Sequence, residues 1–122
     1  MDLITAEKFL RTTLSKTKYR AREERGLDFD IDIYDVMDLL KKQKGRCALT
    51  GQELEFTRGG SFGYGTNPNA CTIDRIYNTA GYVRWNIQLA CWKPNKIKAE
   101  LSNREFYEMA RNVVKTIKID WK

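Results

Sequence analysis

The stretch from Thr72 to Ile76 reads TIDRI and sets a carboxylate, Asp74, beside a guanidinium, Arg75, at the end of a short apolar run. Such a pair can be the polar face of an ordinary edge strand. It can also carry chemistry, because a carboxylate oxygen suits a hard divalent cation such as magnesium. A cation needs a further protein oxygen, and Asn95, in "WKPNKIK", offers one. Strands over 71–76 and 87–92, a loop over 77–84 between them and a short helix from Pro94 to about Leu101 would bring the two together. Pro94 fits the first turn of that helix, where its missing N–H has no partner to lose. Asp74 on the first strand and Asn95 in the first helical turn then face each other across a small gap, with water and a phosphate oxygen completing the coordination shell.

Helices must hold this ribbon in place. From Leu3 to about Glu24, apolar or small residues recur with helical period at Leu3, Ala6, Leu10, Leu14, Thr17 and Ala21, while Lys8, Arg11, Lys18, Arg22 and Arg25 fall on the opposite side. Gly26 stops that helix. A second one starts near Asp32, a plausible cap, carries Ile33, Val36, Met37 and Leu40 on one face and ends at Gly45. "GRCALTGQELEF" suggests a turn at Thr50 and Gly51 between short extended segments, and "TRGGSFGYGTNPNA" reads as a loop without phosphate-cradle spacing. Near the C-terminus, Ser102 and Glu105 have capping-box spacing, and Leu101 with Phe106 can form the accompanying staple. Phe106, Met109, Ala110, Val113 and Ile117 continue the period, so this helix is expected to pack on the core.

Composition limits what the site can be. The chain has 122 residues and no His, which excludes an imidazole base or ligand. Cys47, Cys71 and Cys91 form no C-x-x-C pair, so no structural zinc is expected, and an odd cysteine count without a signal peptide fits reduced thiols in a cytoplasm. No apolar run is long enough to span a membrane. Lys and Arg exceed Asp and Glu to give a formal charge of +6, which favours a polyanionic partner such as nucleic acid. The acids of the segment from Asp28 to Asp38 are the exception, and they offer a surface for a host protein instead. A single domain over 1–122 is expected, divided into a helical part over 1–45, a ribbon-and-helix core over 46–101 and a terminal helix over 102–122.

TIDRI, "NTAGY", "WNIQLACW" and "NKIKAEL", met in that order after "GLDFDID" and "GRCALTG", resemble the HNH, or ββα-metal, endonucleases, and in particular their phage and bacterial branch. The resemblance covers roughly residues 18 to 110. It implies an α+β fold with a two-stranded antiparallel ribbon and helix flanked by N- and C-terminal helices, a magnesium or manganese cofactor, and DNA as partner. By the same resemblance Asp74 and Asn95 match the metal ligands. Asn86 matches the residue that ties the loop between the strands to the backbone. Its separation of nine residues from Asn95 agrees with the family pattern. Because that family lays its ribbon and helix against a duplex groove, Arg84, Lys93, Lys96 and Lys98, interleaved with Trp85 and Trp92, are expected to contact phosphates.

Arg75 departs from the pattern. Better-known members carry a His there as general base, and a guanidinium stays protonated, so Arg75 is expected to bind the scissile phosphate instead. Activation of water then falls to the metal or to Tyr77, Tyr82 or Tyr64, among which the sequence does not choose. The resemblance thus implies an endonuclease that hydrolyses DNA phosphodiesters. The missing His keeps open a catalytically silent nucleic-acid-binding scaffold or a host-interaction protein.

Overall fold

The computed structural model describes residues 2–59 and 65–119. In chain order these form α1 (Leu3–Tyr19), a π-helical turn (Arg20–Glu24), β1 (Phe29–Asp30), α2 (Ile33–Lys42), β2 (Cys71–Arg75), β3 (Tyr82–Val83), a 3-10 turn (Arg84–Asn86), β4 (Ile87–Cys91), α3 (Trp92–Lys98) and α4 (Asn103–Thr116). The class is α+β, with a small antiparallel ribbon and a helix at its centre. No helix among the described residues is long and apolar enough to cross a membrane.

Local chemistry starts each long helix. The Asp2 carboxylate accepts from the Ile4 N–H at 3.0 Å and so satisfies an N–H that has no partner inside α1. Asp32 and Asp35 exchange side-chain and backbone hydrogen bonds in a reciprocal box ahead of α2. Ser102 and Glu105 do the same for α4. These contacts also account for part of the acidic segment: Asp32 and Asp35 cap a helix, while Asp35 and Asp38 lie 3.6 Å from Arg84.

The ribbon pairs β2 with β4 in antiparallel register, Cys71 opposite Cys91, Ile73 opposite Leu89 and Asp74 opposite Gln88. Every residue of β4 is buried, with both α2 and α3 packed against it. The free edge of β4 is covered by side-chain chemistry. Gln43, just after α2, accepts from the Leu89 N–H and donates to the Leu89 carbonyl at 2.9 Å each, imitating a neighbouring strand. Cys47, Cys71 and Cys91 are buried free thiols in this layer, and desolvation pushes Cys91 up to about 12.

A second, two-residue sheet pairs β1 with β3 in parallel. It requires Gly81, since a Cβ there would lie 2.5 Å from the Asp28 carbonyl oxygen and 2.9 Å from the Asp28 nitrogen. Neither backbone atom can yield while the Tyr82 N–H donates to that same carbonyl at 2.8 Å. Gly81→Ala is therefore expected to destabilise the protein by about 1–3 kcal/mol, the usual range for overpacking, read as a lower urea midpoint at unchanged slope.

One expectation fails here. The C-terminal helix does not pack on the core: no residue of α4 is buried, and Met109, Val113 and Ile117 are all exposed. The periodic stripe is present, but α4 is fastened by its first turn alone. Asn103 donates its N–H to the Ile76 carbonyl at 2.9 Å and exchanges two amide hydrogen bonds with Gln88, and Asn78 donates to Glu105. Periodicity specifies that a face is apolar and leaves open what covers it.

Candidate metal centre and phosphate cleft

On β2, Thr72 and Asp74 are two residues apart and share a face. Against that face lie Asn95 and Lys98 of α3, three residues apart and so also on one side of their helix. Asn95 donates its amide to Thr72 Oγ1 at 2.8 Å. Lys98 donates to Asp74 Oδ2 at 2.7 Å and to the Arg75 carbonyl. Gln88, across the ribbon, donates to the same Asp74 oxygen at 2.9 Å. One oxygen of Asp74 is thus fully engaged. The other, Oδ1, takes no hydrogen bond from a described residue, and neither does Asn95 Oδ1.

Both residues line one cleft of about 990 Å³ between α1 with its π-helical turn and the ribbon with α3. Its walls carry Lys16, Arg20, Arg25, Arg58 and Lys96. No group of three His, Cys, Asp or Glu side chains able to hold a metal occurs among the described residues. The available donors are one carboxylate oxygen and one amide oxygen, a hard set that fits magnesium or manganese when water and phosphate supply the rest of the shell, and does not fit zinc.

Arg75, expected to bind phosphate, is engaged by the protein itself. Its side chain is 8% exposed and its fork is already committed: Nη1 donates to the carbonyls of Asn78 (3.2 Å) and Ala80 (2.9 Å), and Nη2 to Glu100 at 3.0 Å. Glu100 is itself shared with Arg25 at 2.5 Å and is largely exposed on the cleft. Arg75 therefore braces the loop after β2 and joins Arg25 in holding a carboxylate at the cleft.

Asn86 is wholly buried and closes the same loop. Its Oδ1 accepts from the Tyr77 N–H at 2.8 Å, and its Nδ2 donates to the carbonyls of Tyr77, Ala80 and Gly81 at 2.9–3.2 Å.

The remaining expected site residues divide. Lys96 lines the cleft with its ammonium 4.8 Å from the Trp92 ring centroid. Lys98, expected to reach phosphate, has no exposed surface and serves Asp74 instead. Arg84 turns to α2 and pairs with Asp35 and Asp38. Lys93 is exposed but is not among the cleft residues. Of the tyrosines, Tyr82 is buried on the cleft with Arg75 5.8 Å from its ring centroid, Tyr77 is exposed beside Trp85 away from it, and Tyr64 lies outside the described residues.

Sequence reasoning missed Gln88, Asn103 and Glu100, as well as Lys16, Arg20 and Arg58 on the far wall. Lys16 of α1 and Arg20, which opens the π-helical turn that continues it, are four apart, a spacing that puts them on one face; nothing in the sequence indicated that this face looks onto TIDRI.

Neither a family model nor a curated protein sequence matches the chain. A search of solved structures finds the rare-cutting HNH restriction endonuclease PacI, 21% identical, with a TM-score of 0.59 over 86% of this chain and 76% of that one. The fold is HNH-like. In HNH-like terms β2 and β4 are the ribbon and α3 is the helix, and Asp74 and Asn95 stand on the facing surfaces of the two.

Proposed function

We propose that this HNH-like chain is a metal-dependent endonuclease that hydrolyses DNA phosphodiester bonds. The observation that carries the reading is that Asp74 and Asn95, each with an oxygen that takes no hydrogen bond from a described residue, line a single cleft walled by cations. Asp74 and Asn95 would hold a divalent cation, which when bound polarises the phosphodiester and eases loss of a proton from the attacking water. Lys16, Arg20 and Lys96 bind the flanking phosphates, and the net positive charge draws the polyanion in. Arg25 and Arg75, which now converge on Glu100, present two guanidiniums where an anion already sits; a phosphodiester displacing that carboxylate would take up the same donors. Hydrolysis breaks one P–O bond and consumes one water. The likeness to an HNH restriction endonuclease supports DNA as the substrate.

The test is plasmid cleavage. Supercoiled DNA should be nicked or linearised with magnesium or manganese and left intact in chelator, and Asn95→Ala should slow the reaction by about tenfold or more, as loss of a metal-site group does. Salt-sensitive DNA binding that persists in chelator, with no cutting under any divalent cation, would instead assign a silent binding scaffold.

A further inference from the structure

Lys98 is the least expected group in the site. It is completely buried, its ammonium lies 2.7 Å from Asp74 Oδ2, and it holds the carbonyl of Arg75 as well. A buried lysine beside a cation-binding carboxylate works against the cation in two ways. It neutralises the one anionic ligand available, and it occupies the oxygen that a bidentate carboxylate would need. The surroundings add to this, because Arg25 and Arg75 share the single carboxylate of Glu100. Among the described residues, Lys98, Arg25 and Arg75 pair at the site with Asp74 and Glu100, so a lone divalent cation meets a net positive neighbourhood. A phosphodiester reverses that balance by bringing both negative charge and a further oxygen ligand.

Resting on the endonuclease reading, we infer that Lys98 makes cation binding conditional on the nucleic acid: the free protein holds the metal weakly, and the metal and the scissile phosphate enter as a coupled pair. Lys98 is a positioning residue in this scheme. It aims Asp74 Oδ1 at the cleft and sets the charge of the site without touching substrate. Coupling of this kind is reciprocal, so the duplex must tighten the metal by the same factor as the metal tightens the duplex.

The experiment titrates manganese into the full chain, followed by electron paramagnetic resonance, alone and with a short phosphorothioate-linked duplex that resists hydrolysis, subtracting manganese bound by the duplex itself. Manganese affinity is expected to rise by at least about tenfold with the duplex, and duplex affinity by the same factor with manganese. Asp74→Asn should remove the coupling. Lys98→Met should tighten manganese binding to the free protein and shrink the coupling, while lowering the turnover of plasmid cleavage because the carboxylate is no longer aimed. Should that variant fold only with metal, its melting temperature must rise more steeply with manganese than that of the wild type. Equal manganese affinity with and without duplex, or a Lys98→Met protein whose manganese affinity is unchanged, overturns the inference while leaving an enzyme that cuts plasmid. If no manganese is bound in either state and no plasmid is cut, the endonuclease reading falls along with it.

Discussion

Asp74→Asn is expected to abolish metal-dependent cleavage while leaving DNA binding in place. The substitution keeps shape and one carbonyl oxygen but removes the only carboxylate among the described residues that both lines the cleft and has an oxygen without a hydrogen bond from them. A metal acting as Lewis acid contributes several kcal/mol of transition-state stabilisation, and a loss of about 4 kcal/mol corresponds to a fall in rate on the order of a thousandfold. Binding to duplex in chelator should change little, because the cations of the cleft wall are untouched; only the part of the affinity that metal adds should be lost. The Asn oxygen can still accept from Lys98, which holds the stability cost below the roughly 3–5 kcal/mol of removing one partner of a buried ion pair. Asp74→Ala has no such refuge and should lose both activity and several degrees of melting temperature. Cleavage assays and binding curves on the Asn variant, run well below its melting point, separate the two effects; undiminished cutting would remove Asp74 from the site.

The second large effect is on stability. Asn86→Ala removes four hydrogen bonds from a wholly buried side chain and leaves the Tyr77 N–H and the carbonyls of Tyr77, Ala80 and Gly81 without that partner. At about 1–3 kcal/mol for each group left unsatisfied, and with water able to reach part of the loop, a destabilisation on the order of 3–4 kcal/mol is expected. Asn86→Asp makes the test sharper. It is nearly isosteric and retains an acceptor for Tyr77, but it turns the donating end into an oxygen that faces three carbonyls. At neutral pH it should unfold at no higher a urea concentration than the Ala variant. Faster hydrogen exchange at Tyr77 should accompany both changes, since its N–H loses its acceptor in one and its loop anchor in both. An Asp variant as stable as the wild type would show that the loop is held by something else.

Much of the frame was legible because it is written in local chemistry. Asp32 and Ser102 cap their helices within one turn, Pro94 lies in the first turn of α3, and the ribbon strands run to within a residue of their expected ends. The first helix reaches Glu24 as expected, its last turn widening to a π-helix. Such features depend on residues a few positions apart, so spacing is enough to find them. Long-range partners are a different matter. Lys98 reads in sequence as one more basic residue beside a DNA-binding element, and only the packing of α3 on β2 turns it inward to Asp74. Arg75 reads as a free guanidinium beside a metal ligand, and only the fold of its loop brings the carbonyls of Asn78 and Ala80 and the carboxylate of Glu100 to its fork.

The sequence by itself determined an α+β chain with a ribbon, a following helix, an acid on one and an amide on the other, because periodicity, caps and residue type are local properties. Tertiary structure alone decided which cations are buried and which line the cleft, that α1 forms its far wall, and that α4 leaves its apolar face uncovered. The reason is that a charged side chain has the same identity in either setting. What it does follows from the carboxylate, carbonyl or solvent that the folded chain places within about 3 Å of it.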